Sequence, residues 1–132
     1  MAIVWSQKHM LSHYHQAPDV RGIYLVGINN PAQMHDGDEY LGRSFPNEFI
    51  PRYVGISKNS IRRRLYCHHS KRGNRHIRDH IANTGGADLE FVYCPTDGTE
   101  IEHHFLVHTM YQFIWNVKQS ENGAWIKFLR AL

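Results

Sequence analysis

The chain has 132 residues, 42% of them hydrophobic, and 15 Lys plus Arg against 12 Asp plus Glu give a formal charge of +3. That length supports one core and leaves no room for two, no apolar run approaches the ~18 residues of a membrane span, and so small a net charge does not by itself call for an acidic partner. Cys67 and Cys94 are too few for a disulfide framework and form no C-x-x-C pair, so reduced thiols are expected. The opening MAIVWSQKHM lacks the long apolar stretch and cleavage site of a secretory signal. The expected setting is the cytoplasm, with no membrane partner.

In chain order, residues 4–15 carry a weak helical pattern that breaks at Pro18. RGIYLVGI, bounded by glycine and by NNP, is short, apolar and rich in β-branched and aromatic residues, as a buried strand requires. Pro31, Gly37, Gly42 and Pro46 interrupt every periodic pattern between about 29 and 50, which predicts an irregular insertion. A brief strand follows at PRYVGI. Ser60 can then cap a helix to about His69, with Ile61 and Leu65 as its buried stripe. A second helix from about Asn74 carries Ile77 and Ile81 on one side and ends at TGG, where glycine suits the C-terminal cap.

DLEFVYC alternates Leu89, Phe91 and Tyr93 and predicts a third strand. Thr99 and Glu102 form a capping box opening a helix to about Tyr111. Trp125, Phe128 and Leu129 recur at helical spacing and predict a last amphipathic helix over about 121–131. The fold class expected is α/β in the α+β sense: one domain over 1–132, with a small three-stranded, mainly antiparallel sheet flanked by helices.

Charge is distributed unevenly. Arg62, Arg63, Arg64, Lys71, Arg72, Arg75 and Arg78 crowd into one segment. Such a run ordinarily solvates a helix face, but it is also the footprint of a nucleic-acid surface. The 11 histidines include the i, i+4 pairs His76/His80 and His104/His108, a spacing able to place two imidazoles on one metal. A His-rich metal-binding module or a non-catalytic DNA-binding module is therefore the alternative to an enzyme.

GIY at 22–24, YVG at 53–55, RRRLYCHH at 62–69, Glu102 at a helix start and WNV at 115–117 occur in the order found in GIY-YIG endonucleases. The chain resembles that family from Gly22 to Val117. The resemblance implies a metal-dependent DNA endonuclease that leaves 5′-phosphate and 3′-hydroxyl ends. It implies Tyr24 as general base toward water, Tyr53 as an orienting phenol, and Arg64 as the phosphate-binding guanidinium, with Arg63 as the alternative register. His68, or else His69, follows one turn on, and Asn116 fixes the site geometry. Glu102, with Glu100 as fallback, would hold Mg²⁺, for which Mn²⁺ could substitute. Arg62, Arg63, Lys71, Arg72, Arg75 and Arg78 are left as contacts to the DNA backbone.

Arg64 suits the phosphate role because its charge is permanent and its fork is bidentate. Tyr24 poses a difficulty, because tyrosine titrates near ~10 and leaves little phenolate at neutrality. The resemblance implies Arg64, His68 and a metal as the cations that would favour the anion. The distance from Tyr24 to Tyr53 exceeds the short hairpin of many relatives, and no appended DNA-binding domain fits in the chain. A homodimer or larger assembly, with the C-terminal helix as one contact, is expected to bring two sites to two strands.

Overall fold

A computed structural model describes residues 5–29, 39–40, 43–44, 49–97 and 115–116. Within them the protein is mixed α/β. Strands β1 (His9–Met10), β2 (Gly22–Asn29), β5 (Phe49–Ser57) and β6 (Leu89–Pro95) form one sheet in the order β1-β6-β2-β5. All three pairings are antiparallel. Helices α1 (Ile61–His69) and α2 (Arg75–Thr84) lie between β5 and β6 in sequence.

The sheet has four strands where three are expected, and the difference comes from the N-terminal segment. Residues 9–16 form a two-residue strand and a 3₁₀ turn, Leu11–Gln16, in place of the helix expected over 4–15. His9 stacks on Phe91 and Tyr93, with ring centroids 5.2 and 6.0 Å apart. The free edge of β6 thus offers extended pairing and aromatic contact to a segment whose own helix propensity is poor, and tertiary context decides. Within the insertion at about 29–50, β3 (Glu39–Tyr40) and β4 (Arg43–Ser44) pair as a small separate ladder. Strand β2 runs on to Asn29, and β5 begins at Phe49, ahead of the expected Pro51. A proline is tolerated there because β5 is the edge strand among the described residues.

β2 reads as a buried strand and is one. Ile23, Tyr24, Leu25 and Val26 are all fully enclosed. β6 departs from its expected alternation, because Glu90, Val92 and Cys94 are buried as well as Leu89 and Phe91. An inner strand with both faces covered has no solvent face to mark.

The register brings the two tyrosines together. Tyr24 pairs with Gly55 and Tyr93, and Val26 pairs with Tyr53, so Tyr24, Val26 and Tyr53 share one face. The pairing slips by one residue between Val26↔Tyr53 and Gly27↔Pro51, which makes Arg52 the extra residue of a bulge. That slip lets Ile50 and Tyr53, an odd number of residues apart, point to the same side.

On this face α1 buries Ile61, Leu65 and His68, joined by Ile77 of α2 and by Leu11 and Ala17. Ser60 caps α1 as expected, its Oγ accepting from Arg63 N–H at 3.1 Å. The carbonyls of Val20 and Pro18 take the N–H groups of Ile61 and Arg62 at 2.8 and 3.3 Å. These bonds dock the start of α1 beside β2 and leave its first amides engaged by protein. For α2, Asn74 Oδ1 accepts from the N–H groups of His76 and Ile77 at 2.8 and 3.1 Å. Gly85, at φ 86°, closes the helix with its N–H on the Ile81 carbonyl.

Cys67 and Cys94 are free thiols. Among the described residues no helix is long and apolar enough to cross a membrane. The capping box at Thr99, the helices expected over about 99–111 and 121–131, and the His104/His108 pair lie outside the described residues.

Candidate active site

Tyr24 and His68, distant in sequence, meet in the interior with Oη and Nε2 2.8 Å apart. Both side chains are fully buried. Tyr53 stands beside them, its ring 6.3 Å from that of Tyr24 and edge-on to His68 at 5.2 Å. Arg64, one helical turn before His68, stands close enough for its charge to act on the Tyr24 oxygen. It is also the exposed member of the group. A phosphate arriving from solvent therefore meets the guanidinium before it meets either phenol.

This arrangement separates the members of the two register pairs. Arg63 is exposed on the outer side of α1, and His69 is exposed with its ring 5.4 Å from that of Tyr14. Neither joins the cluster. The i, i+4 pair that does is Arg64 and His68, held on β2's side of α1 by Ile61 and Leu65.

Two glycines make room for this cluster. A Cβ on Gly55 would collide with the Cζ and Oη atoms of Tyr24. One on Gly73 would collide with the His68 ring, 2.8 Å from Cε1 and 2.9 Å from Cγ. The glycine of the YVG tripeptide thus leaves the space over which the first tripeptide's tyrosine lies.

The electrostatics correct one expectation. Burial, aided by Arg64, pushes His68 down to about 3, so at neutral pH the imidazole is uncharged and cannot serve as a cation beside Tyr24. Burial likewise holds the Tyr24 phenol far above the ordinary tyrosine range, and Tyr53 adds to the shift. Arg64 pulls the other way without overcoming them. The Tyr24 oxygen in turn strengthens the hold of Arg64 on its proton, against the effect of burial. The resting cluster is two phenols, a neutral imidazole and one fixed positive charge.

Asn116, expected in the catalytic set as the amide that fixes the site geometry, bonds the backbone of β5. It is fully buried, its Oδ1 accepts from Val54 N–H at 2.9 Å, and its Nδ2 donates to the Val54 carbonyl at 3.1 Å. Trp115 N–H adds a bond to the Arg52 carbonyl at 3.0 Å. Residues 115–116 therefore close the edge of β5 on either side of Tyr53. Asn116→Ala is expected to leave both Val54 groups without these partners, at about 1–3 kcal/mol of stability. Urea denaturation of the two proteins checks this, and an unchanged midpoint would refute the clamp.

Glu102 and its fallback Glu100 lie outside the described residues. The described cluster contains no carboxylate, and both ring nitrogens of His68 are engaged, Nδ1 accepting from Asn74 N–H at 3.0 Å. Among the described residues no group of three His, Cys, Asp or Glu side chains could hold a metal ion. These residues alone do not make a Mg²⁺ site. Nor does His76/His80 make one here, since His80 Nε2 contacts Asp88 Oδ1 at 2.8 Å.

The surface arginines divide. Arg62 Nε donates to the Ala17 carbonyl at 2.8 Å, and Arg78 Nε lies 3.3 Å from Asp79. Arg72 stacks over Tyr66 at 5.1 Å and also donates to Ser70 Oγ. Arg63 in α1, Lys71 in the connection and Arg75 at the start of α2 are exposed. The sequence reading missed the positioning parts played by Gly73 and by the backbone of Asn74. The legible signal was a cap asparagine after glycine, which announces a helix and says nothing of a histidine packed against it. Comparison with family models, curated proteins and solved structures finds no match to the chain.

Proposed function

We propose that this protein is a DNA endonuclease of GIY-YIG type. One observation carries the reading: Tyr24, Tyr53, Arg64 and His68, drawn from three elements, surround one phenolic oxygen, with Arg64 exposed to solvent. These are the residues that the resemblance selects, and nothing in ordinary core packing requires a buried phenol, an imidazole and a guanidinium to converge.

In the proposed reaction Arg64 binds a non-bridging phosphoryl oxygen and takes up the charge that grows there. Water attacks phosphorus in line, forming the new P–O bond while the bond to the 3′ oxygen breaks. The water's proton passes to the Tyr24 oxygen, and the departing 3′ oxygen is protonated from solvent. Because Tyr24 rests as a phenol, its own proton must first leave to solvent. Arg64 favours that ionisation and burial opposes it. Tyr53 orients the water or the phosphate.

Mg²⁺, or Mn²⁺ in its place, is proposed on Glu102, where it would neutralise charge at the departing oxygen. The exposed cations from Arg63 to Arg75 would hold the DNA backbone and carry no sequence information. A homodimer remains the proposed arrangement for cutting two strands. Light scattering with and without DNA tests it.

The decisive test is plasmid cleavage with Mg²⁺, comparing wild type with Tyr24→Phe and Glu102→Ala. Nicked or linear plasmid from wild type, and a loss of about 10²-fold or more in each variant, is the expected outcome. Intact plasmid under all metal conditions, or full activity in Tyr24→Phe, would overturn the reading.

A further inference from the structure

The hydrogen bond between Tyr24 and His68 has a direction, and the turn between the two helices sets it. Asn74 N–H donates to His68 Nδ1 at 3.0 Å in the interior. A backbone amide has only a proton to give, so Nδ1 must be the bare nitrogen of the ring. In a neutral imidazole the proton then sits on Nε2, which lies 2.8 Å from Tyr24 Oη. Nε2–H donates and the phenolic oxygen accepts. Gly73 is part of the same device, because any side chain there would occupy the space of the His68 ring.

We infer that the Gly73–Asn74 turn locks His68 as the Nε2–H tautomer, so that His68 is a positioning donor to Tyr24 and not the acceptor of its proton. This deepens the nuclease reading and, in its catalytic half, rests on it. The Tyr24 oxygen accepts from His68, and the Arg64 charge acts on it as well. The phenol's own hydrogen therefore points away from His68. A donor and a nearby positive charge favour the anion once that proton has left, and a bare Nε2 could not add to this. His68 contributes without carrying charge and without entering the proton path.

Histidine-selective ¹⁵N NMR reads the tautomer directly and needs no cleavage activity. The expected spectrum has His68 Nε2 protonated, Nδ1 bare, and a scalar coupling across the hydrogen bond to the Asn74 amide. Asn74→Ala removes the side-chain cap but keeps the N–H, and its His68 signals are expected to be unchanged. A protonated Nδ1, a mixture of tautomers in wild type, or a tautomer that changes in Asn74→Ala would each overturn the lock.

The donor role is read from cleavage. His68→Gln can still offer an N–H to Tyr24 but cannot take up a proton, and it is expected to cut about tenfold faster than His68→Ala. Equal loss in the two variants would overturn the donor role. If wild type cuts no DNA, the nuclease reading fails while the ¹⁵N spectrum still decides the tautomer.

Discussion

Arg64→Ala is expected to lower the rate of Mg²⁺-dependent plasmid cleavage by about 10²–10³-fold, the usual cost of removing one preorganised donor from a developing oxyanion. The expectation follows from the double engagement of this side chain. Its charge acts on the Tyr24 oxygen, and its exposure would make it the group that an incoming phosphate meets first. Removing it takes away the phosphate's donor and also the one charge that favours ionisation of Tyr24. Arg64→Lys should recover little, because a point charge cannot bond a phenolic oxygen and a phosphate with the geometry of a planar fork.

Loss of folding does not explain such a result in advance, since alanine is the better helix former at an exposed helical position, and a thermal melt of each variant checks it. Arg63→Ala is the matched control. It removes the same charge one residue earlier, outside the cluster, and should weaken binding mildly and in a salt-dependent way. Wild-type cleavage by Arg64→Ala, or equal losses in the two alanine variants, would reduce the arginines to a solvated face.

Much of this site could be read before the fold was known, for identifiable reasons. Strand β2 was legible because the six residues between Gly22 and the Asn-Asn-Pro stretch are apolar apart from Gly27. Helix α1 was legible because Ser60, Ile61 and Leu65 set its cap and its inner face, and that phase fixes Arg64 and His68 together. The fourth strand was not legible. His9 and Met10 carry no alternating pattern, and their extended form is decided by the edge of β6, far along the chain.

The charge state of His68 was not legible either. A histidine beside three arginines in sequence looks like part of a basic patch, yet its ionisation is governed by complete burial, which only the packed structure supplies. An amide at Asn116 after an aromatic residue was expected to fix the site geometry, and its bonds fall on the backbone of β5 next to Tyr53.

The burial of His68 makes acid the weak point of the fold. In the unfolded chain its imidazole titrates near ~6.5, whereas in the folded protein burial and then Arg64 push it down to about 3. Below ~6.5 the unfolded state therefore binds a proton that the folded state does not, so stability rises with pH across this window. The contribution is fully present above ~6.5 and is lost progressively as the pH falls toward about 3.

By pH 5 the loss from this one group amounts to about 2 kcal/mol, which is a large share of the ~5–15 kcal/mol that holds a domain together. Urea denaturation of wild type at a series of pH values measures it. His68→Gln separates this residue from the other histidines and the carboxylates, because they titrate in both proteins and cancel in the difference. Wild type should lose stability more steeply than His68→Gln between neutrality and pH 5, although the variant starts lower, having replaced the ring packed under Gly73 and against Tyr53. Parallel curves would mean that the imidazole takes up its proton in the folded protein as readily as outside it. His68 would then carry a positive charge for part of the time near neutrality, and its role as a donor held neutral beneath Tyr24 would be overturned.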